Sequence, residues 1–292
     1  MLALNTLLGR YPVTEALRQG AIASSQVRLQ FADVARPATA FKRVVRDLEF
    51  DLAELALMTF LIAKAHDKPL VLLPAVVLAR FQHPFIVYNA ARGHLRPADL
   101  AGKRVGIRAY SVTTVAWLRG VLADDHGVDP DRVHWVAFED AHVAEFLDPP
   151  NVERAPAGAN PLEMLLNGDL DAAVLADAAL PDPRLARLIP DTDAAAQRWH
   201  RRTGAIQINH MVTVRASLSR DQPDAVTEVY RMLRESRERA LRDVAGAAPP
   251  AFGVSVNRRN LEVALEYAER QRLLPRRLTV DELFDDLTRT FE

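Results

Sequence analysis

The chain has 292 residues, 49% hydrophobic and 26% charged, with a formal net charge of −1 and no cysteine. These values exclude collagenous, disulfide-rich and largely disordered classes, and the missing Cys excludes disulfides, thiolate metal sites and a Cys nucleophile together. With 37 basic against 38 acidic side chains there is no electrostatic basis for gripping nucleic acid. A chain of this length buries roughly three quarters of its unfolded surface and is long enough for two lobes.

Residues 1–9 form a short apolar run with no basic leader and no small-residue cleavage site, so the expected location is cytoplasmic. Apolar stretches such as 70–79 fall short of the roughly 18–20 residues that span a bilayer, so no membrane partner is expected.

Strand character appears at 2–8 and 27–32, separated by a polar, Gly-bounded segment. Pro37 opens an expected helix with Phe41, Val44, Val45 and Leu48 at three- and four-residue spacing. Residues 51–58 alternate as a strand, 60–66 read as a helix, and 69–78 and 84–89 as buried strands with Pro at their edges. A second block begins near Arg96: a turn closed by Gly102, a strand at 105–107, an amphipathic helix ending at Gly127, and a strand at 133–138. Trp117 on that helix reads as core. This strand–helix–strand unit implies a parallel sheet.

A helix at 161–167 feeds a strand at 172–175, and 180–190 reads as irregular. Strand character resumes at 205–214, then helices are expected at 223–244, 259–271 and 281–291, with a loop at 245–253. The expected architecture is α/β with two lobes, residues 1–90 plus 205–292 forming one and 91–204 the other. Ligands of such folds sit in a cleft between the lobes, where strands end and helices begin.

Several segments resemble the 4,5-dihydroxyphthalate decarboxylase family. They include Asp51-Leu52-Ala53-Glu54-Leu55, Gly102-Lys103-Arg104-Val105-Gly106-Ile107 and Trp117-Leu118-Arg119-Gly120-Val121-Leu122. Met164-Leu165-Leu166-Asn167-Gly168-Asp169-Leu170-Asp171-Ala172 and the tail Leu278-Thr279-Val280-Asp281-Glu282-Leu283-Phe284 continue the likeness. It runs essentially end to end and implies a type II periplasmic-binding-protein-like fold with open mixed sheets. Three places depart from the family pattern. The family's arginines around Phe81 and His83 fall here on Ala79 and Gln82, with an Arg at 80. Gln207 and Asn209, before the matching His210, are more polar than in the family, and Asp177 stands where the family tends to carry Arg.

The activity this resemblance implies is decarboxylation of a hydroxylated aromatic carboxylate without a cofactor. Such a reaction needs a base on the hydroxyl para to the departing carboxylate, an acid for the ring carbon, and cations or N–H dipoles for the remaining acid. Histidine suits the first two roles. His83 and His210 flank apolar strand segments and match family histidines, so they are the expected catalytic pair, although a core His bonded to backbone is the plain alternative. Glu54, a carboxylate inside an apolar run, is either an ion-pair partner or a site base. His94, His126 and His142 read as surface residues.

Arg108, Tyr110, Ser111, Thr113 and Thr114 follow a strand and open a helix, where a ligand carboxylate is favoured; simple N-capping by Ser111 or Thr113 is the competing reading. Arg10, Tyr11, Thr59, Arg80 and Phe81 complete the expected substrate-binding set. No His-x-x-x-His pair with an intervening Glu occurs, so no metal is expected, though a site assembled from distant His and carboxylates stays open. Phosphate-loop spacings and a Gly-x-Ser-x-Gly elbow are absent from the sequence. The expected ligand is a small aromatic or organic acid, and self-association into a homo-oligomer stays open. The alternative function is a non-catalytic solute-binding protein for a small organic anion.

Overall fold

The first apolar run forms β1 (Leu2–Leu7), followed by α1 (Pro12–Arg18) and β2 (Val27–Phe31), in the computed structural model, which describes all residues except 176–179 and 244–249. β3 (Leu52–Ala56), α2 (Leu57–Ala65) and β4 (Leu70–Ala79) come next. The second block carries β5 (Ile86–Asn89), β6 (Arg104–Ile107), α3 (Thr113–His126), β7 (His134–Ala137) and β8 (Val152–Arg154). It continues with α4 (Pro161–Asn167), β9 (Ala172–Val174), β10 (Leu185–Arg187) and α5 (Thr192–Thr203). The chain ends with β11 (Ile208–Arg215), α6 (Ala216–Asp221), α7 (Pro223–Asp243) and α8 (Val254–Arg270).

Two units divide these elements: Met1–Arg80 with Ile208–Glu292, and Phe81–Gln207. The expected crossing near residue 90 falls ten residues earlier, because β5 pairs antiparallel with both β9 and β10 of the second sheet. Residues 205–207 also stay with the second unit, where the Gln207 side-chain carbonyl accepts the Gln82 N–H at 2.6 Å.

The first unit holds a five-stranded sheet in the order β2-β1-β3-β11-β4. β1 pairs parallel with β2 and β3, whereas β11 runs antiparallel between β3 and β4. One core packs Leu4, Leu52, Leu73, Val212 and Val214 of the sheet against Val13 and Leu17 of α1 and Val226, Val229 and Leu233 of α7. α1 lies in the segment 9–25 that reads as merely polar. A seven-residue helix with one buried stripe is too short for its periodicity to stand out. The helix expected from Pro37 is a 3₁₀ turn (Pro37–Ala40) followed by one π turn (Arg43–Asp47), closed by Leu48 at φ +51°. Phe41, Val44 and Val45 are buried as the spacing predicts.

The second unit holds a six-stranded sheet, β10-β5-β9-β6-β7-β8. β6 pairs parallel with β7 and β9, so the strand–helix–strand reading of this block holds. Gly106 in β6 lets Leu170 pack close, since a Cβ there would stand 2.6 Å from its methyl. β10 lies in the stretch expected to be irregular; its three residues gain strand geometry only by pairing with Val87, Tyr88 and Asn89. α5 buries only Thr192, Ala195, Ala196, Trp199 and Thr203, and Trp199 meets Trp117 edge-to-face at 5.8 Å. The expected terminal helix at 281–291 is two separate 3₁₀ turns, Asp281–Leu283 and Thr288–Thr290. Val244, most of the 245–253 loop and Asp177 lie outside the described residues.

Leu233 is fully buried between α7 and the sheet, with no solvent path for collapse around a deletion. Leu233→Ala is expected to cost about 2–5 kcal/mol, read as a lower urea midpoint at unchanged slope. A shift below about 0.5 kcal/mol contradicts this packing.

Candidate active site

Glu54 sits mid-strand in β3 with no solvent exposure, on the same face as Leu52, which packs in the apolar core of this unit. A carboxylate there stands only if donors replace its water. Three do. Tyr11 OH donates to Oε1 at 2.7 Å, His210 Nδ1–H donates to the same oxygen at 2.9 Å, and the Gly9 N–H donates to Oε2.

Each donor arrives by a different route. β1 ends before Gly9, and the turn into α1 carries Gly9, Arg10 and Tyr11 past the carboxyl end of the sheet. The register of β11 puts His210 opposite Ala56 of β3 and Leu78 of β4, so its side chain lies diagonal to Glu54 on the same face. Gly9 is required by close approach: a Cβ would stand 2.8 Å from the Tyr11 ring and 3.0 Å from Glu54 Oε2.

The geometry assigns the protons. Tyr11 OH and His210 Nδ1 are 3.4 Å apart because both give their proton to one oxygen, not to each other. Burial, then the charge and hydrogen bond of Glu54, push the Tyr11 phenol far above its ordinary value, against a smaller opposing effect of Arg80. Tyr11 is therefore a fixed neutral donor. With the Nδ1 proton directed at Glu54, the second ring nitrogen of His210, Nε2, is not part of that contact. Phe41 meets the imidazole edge-to-face at 5.2 Å, and the side chain keeps 16% exposure.

Of the other expected residues in this unit, Thr59 is buried in the first turn of α2. Arg80 is exposed at the end of β4. Arg10 points outward, two-thirds exposed, and pairs with Glu15 at 3.1 Å. Tyr11, expected to face a ligand, spends its hydroxyl on Glu54.

In the second unit His83 lies in a 3₁₀ turn (His83–Phe85), fully buried, with neither ring nitrogen hydrogen-bonded. Phe81 meets it edge-to-face at 6.1 Å. Burial pushes the His83 imidazole down to about 4, with Asp125 partly opposing, so the ring is neutral near pH 7.

Tyr110 is buried under the Arg119 guanidinium, 3.5 Å from its ring, and its carbonyl accepts from Arg119 Nη1 at 2.8 Å. It braces the loop before α3 instead of facing a ligand. Ser111 and Thr113 are buried and Thr114 is half-buried. Neither Ser111 nor Thr113 caps α3: the N-cap is Val112, which makes no side-chain cap bond, because the helix begins one residue later than a Ser111 cap requires and one residue earlier than a Thr113 cap requires. Arg108 approaches Glu139 at 3.4 Å and donates to His142 Nε2 at 3.2 Å. His142 is consequently 5% exposed, not a surface residue. Among the described residues no group of three His, Asp or Glu is placed to hold a metal ion.

Sequence reasoning passed over Gly9 as a close-approach position and Thr14 altogether. The available signals were a Gly directly after a strand and a Thr three residues beyond Tyr11, the separation at which a hydroxyl reaches back to a backbone N–H.

A His held below its unfolded value contributes stability above about pH 6.5 that is lost as pH falls toward 4, where only the unfolded state takes the proton. Urea stability measured from pH 7 to 4 is expected to fall less steeply in His83→Gln than in the parent chain. Parallel curves contradict the burial of a neutral ring.

Residues 37–179 match the NMT1/THI5-like family. The 4,5-dihydroxyphthalate decarboxylase of Comamonas testosteroni is 28% identical over 234 residues, 76% of this chain and 71% of that protein. The 4,5-dihydroxyphthalate decarboxylase of Pseudomonas putida is 32% identical over 177 residues, 56% of this chain and 69% of that protein. Among solved structures, the periplasmic aliphatic sulphonate-binding protein SsuA of Escherichia coli superposes with a TM-score of 0.60 at 13% identity, covering 100% of this chain and 94% of that one. The fold is the two-sheet α/β architecture of type II periplasmic binding proteins, and the chain belongs to the 4,5-dihydroxyphthalate decarboxylase family.

Proposed function

We propose that this chain is a cofactor-independent lyase that removes CO2 from a hydroxylated aromatic carboxylate, with 4,5-dihydroxyphthalate, named by its relatives, as the first substrate to test. One observation carries the reading: a fully buried Glu54 holds His210 by Nδ1 and leaves Nε2 as the proton-accepting atom. A solute-binding protein needs a ligand contact, but it has no need for a buried carboxylate that fixes one tautomer of a histidine.

Decarboxylation of such a ring is limited by the electron density that its carboxyl-bearing carbon can gather. His210 Nε2 takes the proton of the hydroxyl para to that carbon, and the resulting imidazolium rests against the Glu54 carboxylate. The phenolate pushes its electron pair into the ring, and the para carbon takes a proton from water, leaving a hydroxide that a proton of the solvent neutralises. The carbon–carbon bond then breaks, its pair returns to the ring, and CO2 leaves. His210 gives its proton back to the phenolate oxygen, so the net change is one proton consumed and one CO2 released. Tyr11, neutral throughout, keeps Glu54 oriented as the imidazole gains and loses charge.

Purified protein incubated with 4,5-dihydroxyphthalate is expected to release CO2. His210→Ala and Glu54→Gln are each expected to lower kcat on the order of 10²-fold or more while substrate still binds. Aromatic acids that raise the melting temperature but are never turned over would establish the solute-binding alternative instead.

A further inference from the structure

Thr14 is fully buried on α1, one turn beyond the residues that reach Glu54. Its hydroxyl is used twice by the loop that carries them. Oγ1 donates to the Gly9 carbonyl at 2.6 Å and accepts from the Tyr11 N–H at 3.0 Å. The Tyr11 carbonyl stands farther away, at 3.2 Å, and a hydroxyl with one proton gives it to the nearer oxygen. Arg10, the residue between, is turned outward to Glu15 and does not tie the loop inward.

The two bonds act on the two groups that matter. Gly9 presents its N–H to one oxygen of Glu54, and Tyr11 presents its phenol to the other. Both backbones are pinned by the same hydroxyl. Building on the reading of His210 as proton carrier, we infer that Thr14 is a positioning residue. Its hydroxyl sets the Gly9–Tyr11 turn so that backbone and phenol converge on Glu54, and Glu54 in turn keeps His210 protonated at Nδ1. Which nitrogen of an imidazole carries the proton is set by the hydrogen bond that nitrogen makes, so what orients the acceptor also sets the tautomer.

The test compares full-length Thr14→Val, which keeps the shape and removes the hydroxyl, with Thr14→Ser, which restores it. Long-range ¹H–¹⁵N spectra of the imidazoles, with His210 assigned through a His210→Gln variant, are expected to show one Nδ1-protonated ring in the parent. Thr14→Val is expected to show a mixture of tautomers, with recovery in Thr14→Ser. Turnover of 4,5-dihydroxyphthalate by Thr14→Val is expected to fall on the order of 10-fold in kcat with little change in KM. If Thr14→Val does not fold, Thr14→Ala is measured in its place. A folded variant with the parent's His210 spectrum overturns the inference. Parent protein that leaves the substrate untouched, while the His210 pattern still moves in Thr14→Val, overturns the lyase reading and supports the positioning role.

Discussion

Taking a carboxylate out of water into an apolar strand costs several kcal/mol unless nearby donors replace its hydration. Glu54 is that carboxylate, and the first unit is arranged around meeting its demand. β1 must stop before Gly9 so that a backbone N–H can turn toward Oε2. Tyr11, the residue just before α1, must bring its phenol to Oε1, and β11 must enter antiparallel in the register that sets His210 diagonal to the glutamate. A side chain at position 9 would crowd the Tyr11 ring and Glu54, and a slip of β11 by one residue would take away the His210 donor, because such a slip turns every side chain to the other face.

The same constraint turns structure into chemistry. Glu54 is met by a phenol, an amide and an imidazole, and the imidazole is the one of the three with a second ring nitrogen, Nε2, left over from that contact. The phenol is held neutral by burial and by the negative charge beside it. In the proposed reaction, a fixed tautomer would choose the proton-accepting atom before substrate binds, which removes a reorientation step.

The second unit solves a different problem. Arg119 is fully buried. It is stabilised by the face of Tyr110, by the Tyr110 carbonyl and by the nearby Trp135 ring. Burial still draws its guanidinium down to about 10. Here too a departure from the family pattern acquires a purpose: Gln207 and Gln82, each more polar or less basic than the family residue, are joined by a buried side-chain-to-backbone bond where the chain enters and leaves this unit. Gln82 is thereby part of the unit's frame.

Much of this protein was legible in one dimension. Strand and helix periods placed β3, β4, β6 and α3 within a residue or two and β11 within three, because each carries an apolar pattern long enough to be read locally. Family motifs marked His210 and Glu54. What the sequence could not express is partnership across distance. Glu54 reads equally as an ion-pair member or a base until Tyr11, 43 residues before it, and His210, 156 residues after it, are seen to share its oxygen. Tyr11 looked like a ligand contact and proved to be a donor to Glu54; Thr14 looked like nothing. β10 shows the same limit in the backbone, since a strand of three residues exists only through the neighbour it pairs with. Local pattern determines which segments bury a face. Only the folded chain decides which buried polar group meets which, since that depends on register and on turns that no local window contains.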